Sequence, residues 1–305
     1  MRDMRALVTG ATGLVGRRLC KRLARDGASI VVLARDPLKA KRLLGDGVTA
    51  LAWSDDRPVP KGALEGVDVV FHLAGEPVAD KRLDDARRKL VKESRVRGTR
   101  AVVDAIAAAT TKPSALVCAS ATGFYGDRGD DLLEETAPRG GDFLAEVCTA
   151  WEAEAAKAED AGVRAVSVRI GIVLDPEGGA LAKMLPPFKL GVAGRLGDGR
   201  QWMPWIHAED VVGILTLAAN DASLRGPVNA TAPGVVTNAE LTRVLAKVLS
   251  RPAFLPVPRF GLRLAFGDLA DALLASQRVL PTAATRAGYT FLFPELEPAL
   301  RDLLR

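Results

Sequence analysis

The residues with the plainest chemical meaning come at the start of the chain. Ala6-Leu7-Val8-Thr9-Gly10-Ala11-Thr12-Gly13-Leu14-Val15-Gly16 reads as an apolar strand, a glycine turn and the start of a helix. Gly10 lets the chain turn sharply off the strand. Gly13 lets backbone N–H groups approach a pyrophosphate with no Cβ in the way, and Gly16 lets the helix pack close to the sheet. A helix start also offers unpaired N–H donors and the positive end of a dipole. Gly10, Ala11, Thr12, Gly13, Leu14, Val15 and Gly16 together predict a dinucleotide phosphate turn, because the G-x-x-G-x-x-G run sits between strand and helix.

Two further strand ends extend that site. Ser29 to Leu33 reads as a buried strand ending in Ala34-Arg35-Asp36. An acidic residue at that tip accepts from a ribose 2′-OH and selects NAD, whereas a nearby Arg suits the 2′-phosphate of NADP. Arg35, with Lys39 behind it, points to NADP(H). Asp36, followed by Pro37, reads as a helix N-cap. Val67 to Leu73 is another apolar strand, and Leu73, Ala74 and Gly75 at its end leave room for a dinucleotide. His72 in that strand reads as a packed core histidine, with a catalytic role as the alternative.

These ends need elements to hold them. Helices are predicted over Leu14–Arg25, about Asp84–Ala109, Phe143–Ala161, Val211–Ala219, Asn238–Leu249 and 260–275, with strands at Ser114–Ala119 and Ala165–Ile170. Strand and helix alternate through residue 170, which predicts an α/β fold, a Rossmann-type doubly wound parallel sheet. Nine Lys/Arg between 81 and 100 read as a solvated helix face, or else as a helix-pair dimer surface. Residues 175–205 are rich in Gly, Pro and aromatics and read as a cap. The expected division is a cofactor domain at 1–171, with 206–234 returning to it, and a smaller C-terminal substrate or cap domain from 172–205 and 235–305. The chain has 305 residues, 48% hydrophobic and 26% charged, enough for a sizeable core. A net charge of +5 suits anionic ligands but is too dispersed for nucleic acid. Cys20, Cys118 and Cys148 lack metal or disulfide spacing, which suits reduced thiols in the cytoplasm. No run of 18 apolar residues predicts a membrane span, and glycine-turn sequence within ten residues of Met1 leaves no room for a signal peptide. The expected partners are a small-molecule substrate, with neither nucleic acid nor membrane, and the chain is read as a monomer or homodimer.

Several longer motifs resemble a known family. Thr9-Gly10-x-x-Gly13-x-x-Gly16, His72-Leu-Ala-Gly75, Tyr125-Gly126 and Trp205-Ile-His-Ala-Glu-Asp210 resemble the extended short-chain dehydrogenase/reductases. Phe143-Leu-Ala-Glu-x-Cys148-x-x-Trp151-Glu152, Gly197-Asp-Gly-Arg-Gln-Trp202, Val228-Asn-Ala-Thr-Ala-Pro233 and Gln277-Arg-Val-Leu-Pro281 narrow the likeness to an atypical branch of epimerase-like and cell-division-inhibitor-like proteins. The resemblance spans essentially the whole chain and implies an NADP(H)-binding domain with a small substrate domain. It also implies a Tyr-x-x-x-Lys pair, in which the lysine lowers the tyrosine's pKa and the phenol moves a proton. This chain departs there. Glu146 takes the tyrosine's place and Ala150 the lysine's, and its only tyrosines are Tyr125 and Tyr289.

Two readings follow. In the first the chain is an NADP-dependent oxidoreductase or epimerase. Ser120 holds the substrate oxygen, and Glu146, Ser120 or Tyr125 supplies protons. Gln201, Trp202 and His207 shape the substrate pocket. Glu146 works as a general acid if apolar neighbours raise its pKa; the alternative is that it caps or pairs while Cys148 packs. In the second reading the chain binds NADP(H) without turnover, as a sensor or scaffold.

Overall fold

The computed structural model describes residues 4–78 and 82–305. Lys81 of the basic run lies outside them. The strands begin, in chain order, with β1 (Arg5–Thr9), β2 (Ser29–Ala34), β3 (Val48–Ala52), β4 (Val69–His72), β5 (Ala115–Ala121), β6 (Leu132–Leu133) and β7 (Arg164–Ile170). Then come β8 (Ile172–Asp175), β9 (Trp202–Met203), β10 (Trp205–His207), β11 (Gly226–Ala230), β12 (Val236–Thr237) and β13 (Arg278–Val279). The sheet itself has the order β11-β7-β5-β4-β1-β2-β3, and every pairing in it is parallel.

Its strands read as unbroken apolar runs because both faces are covered. Alternate residues serve opposite cores. Ala6, Val8, Ile30, Val32, Val69 and Phe71 pack on one face, while Leu7, Val31, Leu33, Val70 and Leu116 pack on the other. The first face is covered by α1 (Leu14–Arg25), α2 (Pro37–Leu44) and α6 (Ala208–Asn220). The second is covered by α3 (Asp85–Ala108) and α4 (Phe143–Ala156). The chain therefore winds outward from β1 in both directions, and the strand order reverses between β1 and β4. A crevice opens at such a reversal, beyond the carboxyl ends of the strands.

The other helices are α5 (Gly179–Lys189), α7 (Asn238–Leu249), α8 (Arg259–Phe266), α9 (Leu269–Leu274), α10 (Thr282–Arg286) and α11 (Leu296–Leu303). Helices α5, α7 and α11 share a separate apolar core through Leu181, Leu185, Phe188, Leu241, Leu245 and Leu300. Two predicted helices prove shorter. The run from Phe143 leaves α-geometry at Ala156 and finishes as a 3-10 turn to Ala161. The stretch 260–275 is broken at Gly267, whose φ of 61° does not suit a right-handed helix. The predicted cap holds at α2, where the Asp36 side chain accepts from Lys39 N, and the structure adds one at α3, where that of Asp84 accepts from Arg87 N.

Buried Asp210 ties the C-terminal segment to α6. Its carboxylate accepts from Tyr289 Oη at 3.0 Å and from the backbone N–H groups of Leu292 at 2.8 Å and Phe293 at 3.0 Å. Tyr289 lies so close to α6 that a Cβ on Gly213 would fall 2.0 Å from its hydroxyl oxygen. Gly213→Ala is thus expected to destabilise the fold by about 1–3 kcal/mol, the usual cost of overpacking. Urea denaturation of the purified variant checks this, and an unchanged midpoint would show that Tyr289 moves aside freely.

Candidate functional site: a dinucleotide crevice

The turn between β1 and α1 is held by backbone contact. Gly10 has φ of 67°, and a Cβ there would sit 2.6 Å from the Leu73 carbonyl carbon. A Cβ on Gly16 would sit 2.2 Å from Gly10 O. Gly13 is different. Its Cβ would meet only Gly10 O, at 3.2 Å, and the residue is exposed. Gly10 and Gly16 are required by the protein's own packing, while Gly13 leaves open the space in front of the helix. That helix, α1, has no side-chain cap and no acidic residue in its first turn, so its leading N–H groups remain available to an anion.

A crevice of about 460 Å³ lies before this turn. Gly10, Ala11, Thr12 and Gly13 form one wall, Arg35 and Lys39 another, and Leu73, Ala74 and Gly75 a third. Nine of the predicted cofactor residues therefore come together. Leu14, Val15 and Gly16 do not reach the crevice wall. Leu14 packs against Gly178 and Gly179, Val15 joins the core, and Gly16 meets the turn. Arg35 is exposed at the end of β2, and Asp36 is committed to capping α2.

Thr9 and His72 lock the two strand ends together. Thr9 Oγ1 accepts from Leu73 N at 3.2 Å and Ala74 N at 3.1 Å. Its own hydrogen is then left for His72 Nδ1, 2.8 Å away, which assigns a neutral ring with its proton on Nε2. His72 is fully buried, and burial, with Arg95 nearby, pushes its pKa down to about 4. It is a packed core residue.

The structure adds residues that the sequence did not reveal. Trp53, Ser54 and Asp55, just past β3, line the crevice, as do Glu76, Pro77 and Ser94. Arg95, from α3, lies against Gly75, where a Cβ would be 3.2 Å from its guanidinium carbon. It donates to Glu76 O and Val91 O and stacks 4.9 Å above Trp151. It makes no ion pair among the described residues. Its place in a basic run with helical spacing disguised it as one more solvated cation. Arg87 from the same run is also buried, paired with Glu76 at 2.7 Å.

The predicted proton donors are placed differently. Glu146 is not desolvated: its side chain is 55% exposed, and Lys92 of α3 is hydrogen-bonded to it. That contact holds its carboxyl below the usual range, the opposite of what a general acid at neutral pH needs. Ser120 donates to Glu152 at 2.6 Å. Glu152 is gripped in turn by Arg169 through two bonds of 2.8 Å. Tyr125 is fully buried; it donates to Asn229 Oδ1 at 2.6 Å and accepts from Arg169 at 3.0 Å. Burial pushes its pKa up. These two hydroxyls belong to one internal network and are not presented to the crevice. Cys148 is buried, and burial raises its thiol to about 11.

The predicted pocket residues are also packing groups. Gln201 donates to Leu196 O at 3.2 Å. Trp202 donates to Asp130 at 2.8 Å and lies under Arg278. His207 caps α6 by accepting from Glu209 N, and its ring stacks on Phe293 at 3.9 Å. Burial lowers its pKa. Each of the three residues is thus held in place by a partner within the chain. Among the described residues no His/Cys/Asp/Glu cluster could hold a metal ion.

Gly13→Val is expected to abolish dinucleotide binding while leaving the unliganded melting temperature near that of the wild type, since an added Cβ has only Gly10 O, at 3.2 Å, near it and the position is exposed. A retained thermal shift with NADPH would show that the phosphates lie elsewhere. For His72, the folded pKa of about 4 lies below the ordinary value near ~6.5. The unfolded chain binds the extra proton between those values. The group's stabilising effect is therefore complete above ~6.5 and is lost as pH falls towards 4, at a total of about 3 kcal/mol. Ring NMR shifts that titrate near 6.5 in the folded protein would contradict this.

The comparisons agree with this geometry. The model of the NAD dependent epimerase/dehydratase family matches residues 6–230, and a domain of unknown function, DUF1731, matches residues 257–303. The chain is 39% identical to the chloroplastic epimerase family protein SDR39U1 homolog of Arabidopsis thaliana, over 99% of this chain and 87% of the relative. The crystal structure of human epimerase family protein SDR39U1 with NADPH superposes with a TM-score of 0.89, at 34% identity, covering 98% of this chain and 99% of that one. A nucleoside-diphosphate sugar epimerase from Corynebacterium glutamicum superposes at 0.78 with 35% identity, covering 99% of this chain and 58% of that one. This chain belongs to the NAD dependent epimerase/dehydratase family, as an atypical extended short-chain dehydrogenase/reductase of epimerase-like type.

Proposed function

We propose that this chain binds NADP(H) in the crevice above β1, β2 and β4 and uses it as a cytoplasmic oxidoreductase or epimerase on a small or nucleotide-linked substrate. The observation that carries the cofactor assignment is Gly13, whose missing side chain faces a single internal contact, Gly10 O at 3.2 Å, and leaves the uncapped start of α1 open to a pyrophosphate. The human relative crystallised with NADPH supports the same reading. Arg35 and Lys39 stand where a 2′-phosphate would be recognised, and the carboxylate next to Arg35 in sequence, Asp36, already accepts from Lys39 N. Arg95, which has no ion pair among the described residues, adds a positive charge beside Gly75 on the β4 side of the crevice. When bound, the dinucleotide supplies hydride transfer. The chain's own contribution is to hold its phosphates and fix the β4 end through Thr9. In this reading residues 172–205 and 235–305 cover the substrate.

A second reading, binding without turnover, has a specific observation in its favour. Every hydroxyl or carboxyl expected to move a proton is engaged elsewhere: Ser120 on Glu152, Tyr125 on Asn229 and Glu146 on Lys92. An enzyme of this design must take its proton from solvent, from the substrate or from another group of the crevice.

Calorimetric titration separates these statements. NADPH is expected to bind more tightly than NADH, and Arg35→Ala to weaken NADPH by about 1.5–3 kcal/mol, the range for a hydrogen bond to a charged group, while sparing NADH. Equal affinities in the wild type would remove Arg35 from the site. A screen of NADPH oxidation against aldehydes, ketones and quinones then tests turnover. A substrate-dependent rate supports the oxidoreductase reading, and its absence across the screen favours the sensor.

A further inference from the structure

Two arginines of α3 reach the segment after β4, and one of them keeps half of its donors free. Glu76 pairs with Arg87, at 2.7 Å. Arg95 takes backbone oxygens instead: its Nη1 donates to Glu76 O at 2.9 Å and to Val91 O at 3.0 Å. Its Nε and Nη2 have no hydrogen-bond partner among the described residues. The acids of the two helices around it are held by other cations. Glu93 pairs with Arg97, Glu146 with Lys92, Glu152 with Arg169 and Glu154 with Arg100. Burial pulls the Arg95 pKa down, as expected of a cation without a close counterion, yet a guanidinium stays protonated in a protein. Trp151 stacks on it at 4.9 Å and holds its plane.

Another arginine of the same chain shows what such an edge holds. In Arg169, Nη1 serves Tyr125 Oη and Glu135 O, while Nε and Nη2 grip the two oxygens of Glu152 at 2.8 Å each. Nε–H and Nη2–H form one flat fork that matches the two oxygens of a carboxylate. Arg95 repeats this arrangement at Nη1, but its fork meets no carboxylate of the described chain. The fork adjoins the crevice. Gly75 lines the crevice and is exposed, and a Cβ there would lie 3.2 Å from the Arg95 guanidinium carbon and 3.4 Å from Nη2. The missing side chain leaves that nitrogen uncovered. The N–H groups of Leu73 and Ala74 already donate to Thr9, and that of Glu76 to Ser94, so an anion at the β4 end depends mainly on Arg95. In the sheet, β2 and β4 flank β1. A dinucleotide with its pyrophosphate on α1 and its 2′-phosphate at Arg35, beyond β2, sends its nicotinamide half towards β4. That half carries no phosphate, so the anion that suits Arg95 comes from a second molecule.

We propose that Arg95 anchors the substrate: its Nε and Nη2 take a carboxylate that the substrate carries, beside Gly75 at the β4 end of the crevice. The substrate class is then a carboxylate-bearing carbonyl or hydroxyl compound. This rests on the dinucleotide reading above, which places the cofactor's phosphates at α1 and Arg35 and leaves the β4 end to the substrate.

NMR of the isotope-labelled full chain tests this. In the NADPH-saturated protein, sodium acetate at fixed ionic strength is expected to shift the Arg95 Nε–H and Gly75 N–H signals to saturation, and neutral acetamide to shift neither. Arg95→Lys keeps a charge but loses the fork, and acetate affinity read at Gly75 should fall at least about tenfold. Should that variant misfold, Gly75→Ala sets a methyl group against Nη2 while keeping Arg95, with the same expected loss read at Arg95 Nε–H. No saturable acetate shift, an equal shift with acetamide, or undiminished acetate affinity in a folded variant overturns the proposal. So does inorganic phosphate that saturates where acetate does not, which assigns a phosphoryl group instead. NADPH that competes with acetate also overturns it, because the guanidinium then belongs to the cofactor. Failure of the dinucleotide reading shows separately, as a wild-type protein that binds no NADPH. Acetate titration of the unliganded chain then decides the fork on the same outcomes.

Discussion

Backbone-to-backbone closeness at the end of β1 governs this molecule. The Gly10 turn touches the carbonyl of Leu73 on one side, and α1 touches Gly10 O on the other. No side chain fits at either contact. The strand, the helix start and the β4 end are therefore fixed relative to one another before any ligand is present. Thr9 reinforces the arrangement from below, because one hydroxyl satisfies two backbone donors and a buried histidine. A phosphate site made of N–H groups needs such rigidity, since its donors cannot adjust individually as side chains can.

A second fixed point lies further along the sheet, at β5, β7 and β11. Arg169 and Glu152 form a nearly buried ion pair, with side chains 4% and 14% exposed. Around it gather Ser120, Tyr125 and Asn229, while Glu135 accepts from Asn229 N and Ala283 N. The group joins β5, β7 and β11 to α4 and to the start of α10. A buried guanidinium is tolerated only when its donors are satisfied, and here Glu152, Tyr125 and Glu135 O satisfy them. The hydroxyls that chemistry could have used are consumed in doing so. The atypical character of the site is thus a matter of partners as much as of residue types.

Charge in the basic run on α3 is divided by depth. Arg97 and Arg100 are exposed and pair with Asp55 and Glu154. Arg87 and Arg95 turn inward to the β4 end. Guanidinium groups suit this position, because their planar forks can satisfy backbone carbonyls and stack on an indole at once. One helix therefore serves both as a solvated face and as part of the crevice wall.

The sequence by itself determined what depends on neighbours along the chain. The glycine turn, the cap at Asp36, the parallel sheet and the Arg35 tip were all legible, because φ preferences, cap hydrogen bonds and apolar periodicity act within a few residues. Tertiary structure alone decided the solvation of individual side chains. Glu146 looked desolvated from its apolar neighbours on α4, yet Lys92, 54 positions away, keeps it charged at the surface. Ser120 and Tyr125 stand in the right motifs but answer to Glu152, Arg169 and Asn229. His207 caps a helix, and Arg95 leaves the solvated face its spacing suggested. The short β3, with its Val-Thr-Ala-Leu-Ala sequence, carried too weak a pattern to announce Trp53 and Asp55 on the crevice wall. A proton donor is defined by its pKa, and a pKa is set by burial and by charges that only the folded chain brings near.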